Sequence, residues 1–134
     1  MQLTVYILVY PWLWLISRLP FKIIYFISDG LFLLVYYVIG YRKKVVRYNL
    51  ALVFPEKPQE RRLHIEKRFY RHMCDMFLEM IKTMGISNEE LQRRFTFDNL
   101  GLLHRLEARN RSVMPMFPHY ASWEWVIALD THIG

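Results

Sequence analysis

His119 and Glu124 are the two residues of this sequence whose types and spacing best suit acid–base chemistry. They lie in the stretch MFPHYASWEWVIAL, in the pattern HxxxxE. A neutral imidazole can accept a proton from a hydroxyl near pH 7, and a carboxylate bonded to its other nitrogen fixes the tautomer and stabilises the cation that forms. The pair therefore has the chemistry of two members of a catalytic triad.

The spacing of this pair restricts the backbone that can bring the two side chains together. Five residues of α-helix turn through about 500°, so on one regular helix the side chains would point about 140° apart. They can meet if His119 lies in the turn that leaves a strand and Glu124 lies in the first turn of the next helix, with Ser122 as its N-cap. Such a strand-to-helix turn is where α/β folds place their sites.

The residues around this pair predict the type of reaction. No serine or cysteine occupies an elbow motif, so the attacking hydroxyl would belong to the substrate, which implies direct acyl transfer without an acyl-enzyme. Cys74 is interpreted as a small core residue, and no Cys/His cluster has zinc spacing, so no metal site is predicted. The other histidines have no partner at a meaningful spacing: His64, His72, His104 and His132.

The first 41 residues predict attachment to a membrane. They carry only three charged side chains, in a chain whose hydrophobic and aromatic fractions, 54% and 16%, are high. The piece that ends at Ser17 is long enough to just span and is predicted to be an uncleaved anchor. The piece from Pro20 to Tyr41 contains Lys22 and Asp29, so a helix in the interface or packed on the globular part is favoured over a second span. A very apolar soluble core is the alternative.

A basic stretch begins where the apolar segment ends. The chain carries 18 basic and 12 acidic residues, for a net charge of +6, and the excess lies between Tyr41 and His72. Basic residues beside a membrane element predict a cytoplasmic body, and they can contact anionic lipid. A merely solvated basic helix face is the alternative, whereas nucleic-acid binding is disfavoured because no known motif accompanies the charge. The predicted lipid contacts are Arg42, Lys43, Lys44 and Arg47.

The rest of the sequence predicts alternating helices and strands. Apolar residues after the FPEKP turn recur at helical spacing as far as Met84, and Gly85 follows in the usual C-terminal position. Ser87 and Glu90 form a capping box for a short helix. FTFDN and SVMPMF have the patterns of strands on either side of a helix in LGLLHRLEARN. The predicted fold class is therefore α/β: membrane-anchoring helices in residues 1–41, then part of an α/β sandwich in 42–134.

The order of these features resembles the late acyltransferases of lipid A biosynthesis. The resemblance rests on the N-terminal anchor, RLPF before a second apolar helix, YRKKVVRYNLALVFPEKPQERR, the FYRHMCDMFLEMIK helix and HYASWEW. It implies that His119 is the general base and Glu124 the acid of the charge relay. It also implies an acyl carrier protein thioester or acyl-CoA as the donor, no cofactor, a lipid A precursor as the acceptor, and a place at the bacterial inner membrane with the catalytic side cytoplasmic.

Two residues depart from that family pattern. Members commonly have glycine before the histidine, where this chain has Pro118, and Pro115 interrupts the predicted lead-in strand. Members are also longer, so the chain is interpreted as an N-terminal piece. Two alternatives stay open at this point. A glycerolipid acyltransferase is disfavoured because those enzymes usually have asparagine before the histidine and aspartate in place of Glu124. The other alternative is a noncatalytic, membrane-bound basic segment that binds anionic lipid or a partner protein.

Overall fold

The computed structural model describes residues 2–118 and 120–131, whose regular secondary structure is all helical. His119 and His132 lie outside the described residues. The second α-helix continues directly into a π-helical segment, and a 3₁₀ helix ends the described part. The elements in order are α1 (Gln2–Arg18), α2 (Phe21–Leu33), the π-helix (Leu34–Ile39), α3 (Lys43–Val53), α4 (Gln59–Lys82), α5 (Asn88–Arg94), α6 (Leu100–Glu107) and the 3₁₀ helix (Trp123–Thr131).

The predicted α/β sandwich is wrong, because residues 2–118 and 120–131 contain no β-strand. In FTFDN the backbone is extended at Phe95 and left-handed at Asn99. Phe95 has φ −123° and ψ 105°, and its ring centroid lies 5.1 Å from that of Phe97. A strand also needs a partner that supplies ladder hydrogen bonds, and the alternation of one segment carries no information about a partner.

The second predicted strand, SVMPMF, fails for the same reason and for a local one. Its residues have no regular secondary structure. Pro115 has no N–H to donate to a ladder. Met114 and Met116 are 83% and 85% exposed, so this segment does not present the buried face that stabilises a strand. Its apolar residues instead line a cleft together with α6.

The described chain divides into two compact units. Residues 19–79 form the first, here called the α2–α4 unit, and residues 1–18 with 80–134 form the second, here called the motif unit because it contains HxxxxE. The predicted separation of an anchor, residues 1–41, from an acyltransferase part, residues 42–134, stays a prediction.

Polar contacts hold α2 and the π-helix against α4. The partners ascend along one helix as they descend along the other, so the two helices are antiparallel. The contacts are Tyr25 to Glu79 (2.7 Å), Ser28 to Asp75 (2.6 Å), Asp29 to Arg71 (3.3 Å) and Tyr36 to Glu66 (3.0 Å).

Apolar packing fills the space between these polar contacts. Phe32 of α2 and Tyr36 of the π-helix pack with Tyr70 and Cys74 of α4, and all four are buried. The prediction that Cys74 is a core residue is confirmed. Burial, with a smaller contribution from the adjacent Asp75, raises the pKa of the Cys74 thiol, so little thiolate is present near neutral pH.

The helix lengths change which segment is the candidate membrane span. Within the described residues, one helix is long and apolar enough to cross a membrane, and it is Phe21–Ile39, with a mean hydropathy of 1.7, rather than α1. The same helix has Asp29 paired with Arg71 of α4, and it leaves Phe26 and Val38 exposed. One face therefore packs on a charged helix while another is apolar and uncovered, which supports the predicted packing on the globular part.

In the motif unit, α1 is held at its C-terminal end by Lys82 and Gly85. Ser17 is fully buried, and its hydroxyl donates to the Trp14 carbonyl at 2.7 Å. The Lys82 ammonium donates to the Ser17 carbonyl at 2.8 Å, a favourable place for a cation because helix carbonyls end there. Burial of Lys82 lowers its pKa. A Cβ on Gly85 would lie 2.6 Å from Ser17 Oγ and 2.9 Å from the Ser17 carbonyl oxygen.

Replacing Gly85 with alanine should therefore destabilise the motif unit. The new methyl group overlaps backbone as well as side chain, and overpacking of this kind costs about 1–3 kcal/mol in the free energy of unfolding. Chemical denaturation in a nonionic detergent would measure it. The matched control is Gly101→Ala in α6, where a Cβ meets nothing within 4 Å and alanine is favoured over glycine by roughly 0.5–1 kcal/mol. Equal stability of the two variants would contradict the close approach.

Candidate active site

Glu124 lies in the first turn of the 3₁₀ helix, where the sequence predicted it. The amide of Trp125 donates to the Ser122 carbonyl at 3.0 Å, which is the i to i+3 bond that begins such a helix. The Glu124 side chain is half-buried, so solvent and a substrate can both reach it. His119, its predicted partner, lies outside the described residues, and the contact between them stays a prediction.

The backbone between the two motif residues has an unusual conformation at Ala121. Its φ is +53°, in the left-handed region, which a residue with a Cβ enters at a cost of about 1–3 kcal/mol. Just before it, the Tyr120 amide donates to the Pro118 carbonyl at 2.9 Å. Strain of this kind persists where surrounding contacts determine the backbone, and it is concentrated at functional sites.

Buried side chains hold the 3₁₀ helix in place. Trp125 and Ala128 are both buried and lie three residues apart, so they share the inward face. The helix packs against α5, which contributes the buried Leu91. The predicted Ser87 cap of α5 is confirmed, because the Ser87 hydroxyl accepts from the Glu90 amide at 3.3 Å. The position of Glu124 thus depends on a capped helix.

Glu90 also binds the arginines at the other end of α5. Its carboxylate accepts from Arg94 Nε at 2.6 Å and from Arg93. The hydrogen bond from Arg94 lowers the pKa of Glu90. Because these side chains are three and four residues apart on a solvent-facing helix, each pair stabilises α5 by only a few tenths of a kcal/mol. Burial of Leu91 is the larger contribution to its packing.

A mostly apolar cleft of about 460 Å³ is lined by residues that come before and after the motif in the sequence. One wall comes from Leu102, Leu103 and Leu106 of α6. The other comes from the segment that precedes His119 in the sequence, through Val113, Pro115, Met116 and Phe117. Leu129 of the 3₁₀ helix completes the lining. The cleft therefore touches both chain segments that flank the HxxxxE motif.

The cleft residues were missed by the sequence reasoning. The leucines of α6 were interpreted only as one more helix and the following apolar run as a strand. The available signal was a leucine-rich helix followed by an apolar segment whose Pro115 has no N–H to donate to a ladder. Among the described residues, no group of three or more histidine, cysteine or acidic residues could hold a metal ion.

The four predicted lipid-contact residues have different surroundings in the α2–α4 unit. Arg42 and Lys44 are exposed. The Lys43 ammonium lies 3.8 Å from the centroid of the Tyr36 ring, a cation–π contact. Arg47 is bound to Glu66, with Nε donating to Oε2 at 2.9 Å and the terminal nitrogen to Oε1 at 3.2 Å. Lys43 and Arg47 therefore have partners within the protein.

Comparison with known proteins gives a family match and two curated relatives. A model of the family described as bacterial lipid A biosynthesis acyltransferase matches residues 1–129. The chain is similar to the lipid A biosynthesis palmitoleoyltransferase of Escherichia coli (strain K12) and to the lipid A biosynthesis acyltransferase of Shigella flexneri. Each is 25% identical over 112 residues, which cover 84% of this chain and 37% of the relative. No solved structure matches.

The different surroundings of neighbouring basic residues predict different effects of removing them. Lys44→Gln should weaken binding to acidic vesicles at low salt about fivefold, because each lysine near an anionic surface is worth on the order of 1 kcal/mol. The matched variant Lys43→Gln should weaken vesicle binding less and instead lower the free energy of unfolding by about 0.5–1 kcal/mol, since it removes the contact with Tyr36. Vesicle flotation and denaturation would measure the two effects, with neutral vesicles as control. The opposite order would contradict these assignments.

Proposed function

Because the chain belongs to the bacterial lipid A biosynthesis acyltransferase family, we propose that it takes part in transferring a fatty acyl chain from an acyl thioester to a hydroxyl of a lipid A precursor. The chain spans 37% of the length of the curated relatives it matches, so the activity proposed is that of a whole protein containing this chain. The observation that carries the proposal is the HxxxxE motif beside an apolar cleft, with Glu124 in the first turn of a helix.

In the proposed mechanism His119 acts as the general base. Its imidazole removes the proton from the acceptor hydroxyl as that oxygen attacks the thioester carbonyl. Glu124 binds the other ring nitrogen and stabilises the imidazolium. The carbon–sulfur bond then breaks, the acyl group remains on the acceptor oxygen as an ester, and the leaving thiolate takes the proton from His119. No residue of the chain becomes acylated, so no cofactor or protein nucleophile is required.

We propose that the cleft beside the motif holds part of the acyl chain. Its lining is mostly apolar, with leucine, valine, phenylalanine and methionine side chains, and each methylene group removed from water contributes about 0.8 kcal/mol. Met116 is a long, flexible side chain that can adapt to a bound chain. The donor would be an acyl carrier protein thioester or acyl-CoA. In both, the acyl chain is already carried as a thioester, so His119 needs to activate only the acceptor hydroxyl.

Attachment to the bacterial inner membrane, with the motif on the cytoplasmic side, completes the proposal. Both substrates end in apolar chains, so an enzyme at the bilayer surface meets them where they are most concentrated. The apolar helix Phe21–Ile39 supports this location, as do the exposed Arg42 and Lys44 that follow it. Basic residues next to a membrane element favour the cytoplasmic side.

Cysteine labelling tests this orientation. Glu60 is exposed in the first turn of α4, whereas the native Cys74 is buried and has a raised thiol pKa, so Glu60→Cys should be labelled against a low background. We expect a membrane-impermeant maleimide added to intact cells to leave it unmodified and to label it after lysis. Unaltered protein measures the reactivity of Cys74. Labelling in intact cells would overturn the cytoplasmic orientation.

The proposed relay is tested in a chimera in which this chain replaces the aligned part of the Escherichia coli relative. His119→Ala should lower acyl transfer by roughly 10² to 10⁴, the usual contribution of general-base catalysis. Glu124→Ala should lose a comparable amount, and the double variant should be little worse than His119→Ala because members of a relay fail together. Transfer of labelled acyl chains from acyl carrier protein to the precursor in detergent would measure these rates.

His104→Ala is the matched control for the relay. His104 is exposed and also pairs with a glutamate, Glu107, at 3.3 Å, so it reproduces the residue pair without the motif. Its replacement should leave acyl transfer unchanged. Losses that multiply in the His119→Ala, Glu124→Ala double variant would show that the two residues act separately. Full activity of His119→Ala, or an inactive unaltered chimera, would contradict the proposed site.

A further inference from the structure

A second cleft, of about 430 Å³, lies between α3 and α4 in the α2–α4 unit. Its apolar lining consists of Leu50 and Ala51 from α3 and Leu63 from α4. Arg47, Arg62, Gln59 and Glu66 provide the polar lining. This combination of guanidinium groups and aliphatic walls suits a ligand that has a charged end and an apolar body.

Arg47 is held rigidly at this cleft. Glu66 is 1% exposed and accepts two hydrogen bonds from the Arg47 guanidinium. Glu66 in turn accepts from the Tyr36 hydroxyl at 3.0 Å, which fixes the carboxylate. The Arg47 side chain is nevertheless 55% exposed, so solvent or a ligand can reach the guanidinium. The bound carboxylate raises the pKa of Arg47, which keeps the group charged.

Arg62 is the second cation of the cleft, and most of its N–H donors are available to a ligand. Its terminal nitrogen makes one hydrogen bond, at 3.4 Å, to the Phe54 carbonyl just beyond the end of α3. That is the one side-chain hydrogen bond of Arg62 within the described residues, whereas a guanidinium carries five N–H donors in a planar fork. The long bond orients Arg62 while leaving most of its donors available to an anion.

The charges that line the cleft set the charge of the ligand. Glu66 neutralises Arg47, and Arg62 is the remaining cation, so the lining carries one net positive charge. A single excess charge matches a monoanion better than a doubly charged phosphate monoester, whose second charge would be desolvated without a partner. The guanidinium fork also matches the geometry of phosphate oxygens.

We propose that the cleft between α3 and α4 binds the monoanionic phosphodiester headgroup of a membrane lipid. Arg62 and Arg47 would donate to the two non-bridging oxygens, and the lipid glycerol would lie against Leu50, Ala51 and Leu63. This site does not depend on acyl transfer, since none of its residues belongs to the motif unit.

The test measures lipid binding by the full chain in a nonionic detergent. Titration calorimetry with dihexanoyl phosphatidylglycerol, a phosphodiester monoanion, should show saturable binding. Dihexanoyl phosphatidylcholine and inorganic phosphate, which lack the net charge and the apolar body respectively, should each bind at least tenfold more weakly. Equal binding of phosphatidylcholine would overturn the role of charge, and equal binding of inorganic phosphate would overturn the assignment to a lipid.

Two neighbouring arginines give a matched comparison. Arg62→Gln should weaken phosphatidylglycerol binding at least tenfold because it removes the excess cation. Arg61→Gln removes the same charge from the adjacent, exposed position that does not line the cleft, and it should change binding less than twofold. Equal losses in the two variants would show diffuse attraction to a basic surface and overturn the site.

Glu66→Gln tests the charge argument from the other side. The substitution retains a side chain that can accept from Tyr36 and Arg47 but raises the net charge of the cleft by one. We expect inorganic phosphate to bind at least fivefold more tightly than to the unaltered protein. No gain for phosphate would overturn the match of ligand charge. Arg62→Lys, which keeps the charge and loses the fork, should fall between Arg62→Gln and the unaltered protein, and it serves if Arg62→Gln does not fold.

Discussion

The buried carboxylate of Glu66 is the interaction on which the α2–α4 unit depends. It accepts hydrogen bonds from Tyr36 of the π-helix and Arg47 of α3 while belonging to α4, so one side chain joins three elements. A carboxylate that is 1% exposed must be fully satisfied, because an unpaired buried charge costs several kcal/mol. That penalty applies to any arrangement that separates the three elements, so the pair specifies how they pack more than it adds to stability.

The π-helix determines where Tyr36 can reach this carboxylate. A π-turn carries more residues than an α-turn, so Leu34–Ile39 shifts the register of the side chains that follow it. Tyr36 then lies beneath Lys43 and packs edge-on against Tyr70. The segment ends at Gly40, whose φ of +66° is the left-handed conformation that glycine adopts most readily. The chain therefore passes from the apolar π-helix to the basic helix α3 within a few residues around Gly40.

Sequence reasoning succeeded where a pattern reflects a local cause. The periodicity of α4 and the Ser87 cap are set by residues near one another in the chain, and both were predicted correctly. The burial of Cys74 was also predicted correctly, from its residue type, although two of its packing partners, Phe32 and Tyr36, are distant in the sequence. Gly85 was predicted as a helix end, but its lack of a side chain is needed for the approach of Ser17, which comes from 68 positions earlier in the sequence. No local pattern contains that information.

Reasoning from alternation failed where a distant partner decides the outcome, and counting charges could not show the different surroundings of neighbouring basic residues. Arg47 and Lys44 were both predicted as lipid contacts, which stays a prediction, whereas the pairing of Arg47 with Glu66, 19 positions away, was not accessible from the sequence. Alternation in FTFDN predicted a strand, although a strand exists only when a second one pairs with it. For the motif, the chemistry of HxxxxE and the place of Glu124 in a first turn were accessible, whereas the α6 cleft required the fold.

Substitutions in the two units differ in how directly their effects can be interpreted. In the α2–α4 unit, the proposed lipid binding and the packing share a residue: Arg47 lines the cleft and also satisfies Glu66, so its loss would change both. In the motif unit, the buried Trp125, Ala128 and Leu91 hold the 3₁₀ helix, while Glu124, the proposed acid of the relay, is half-buried one residue before Trp125. Substitutions at Glu124 therefore report on chemistry more directly than substitutions at Arg47 report on binding.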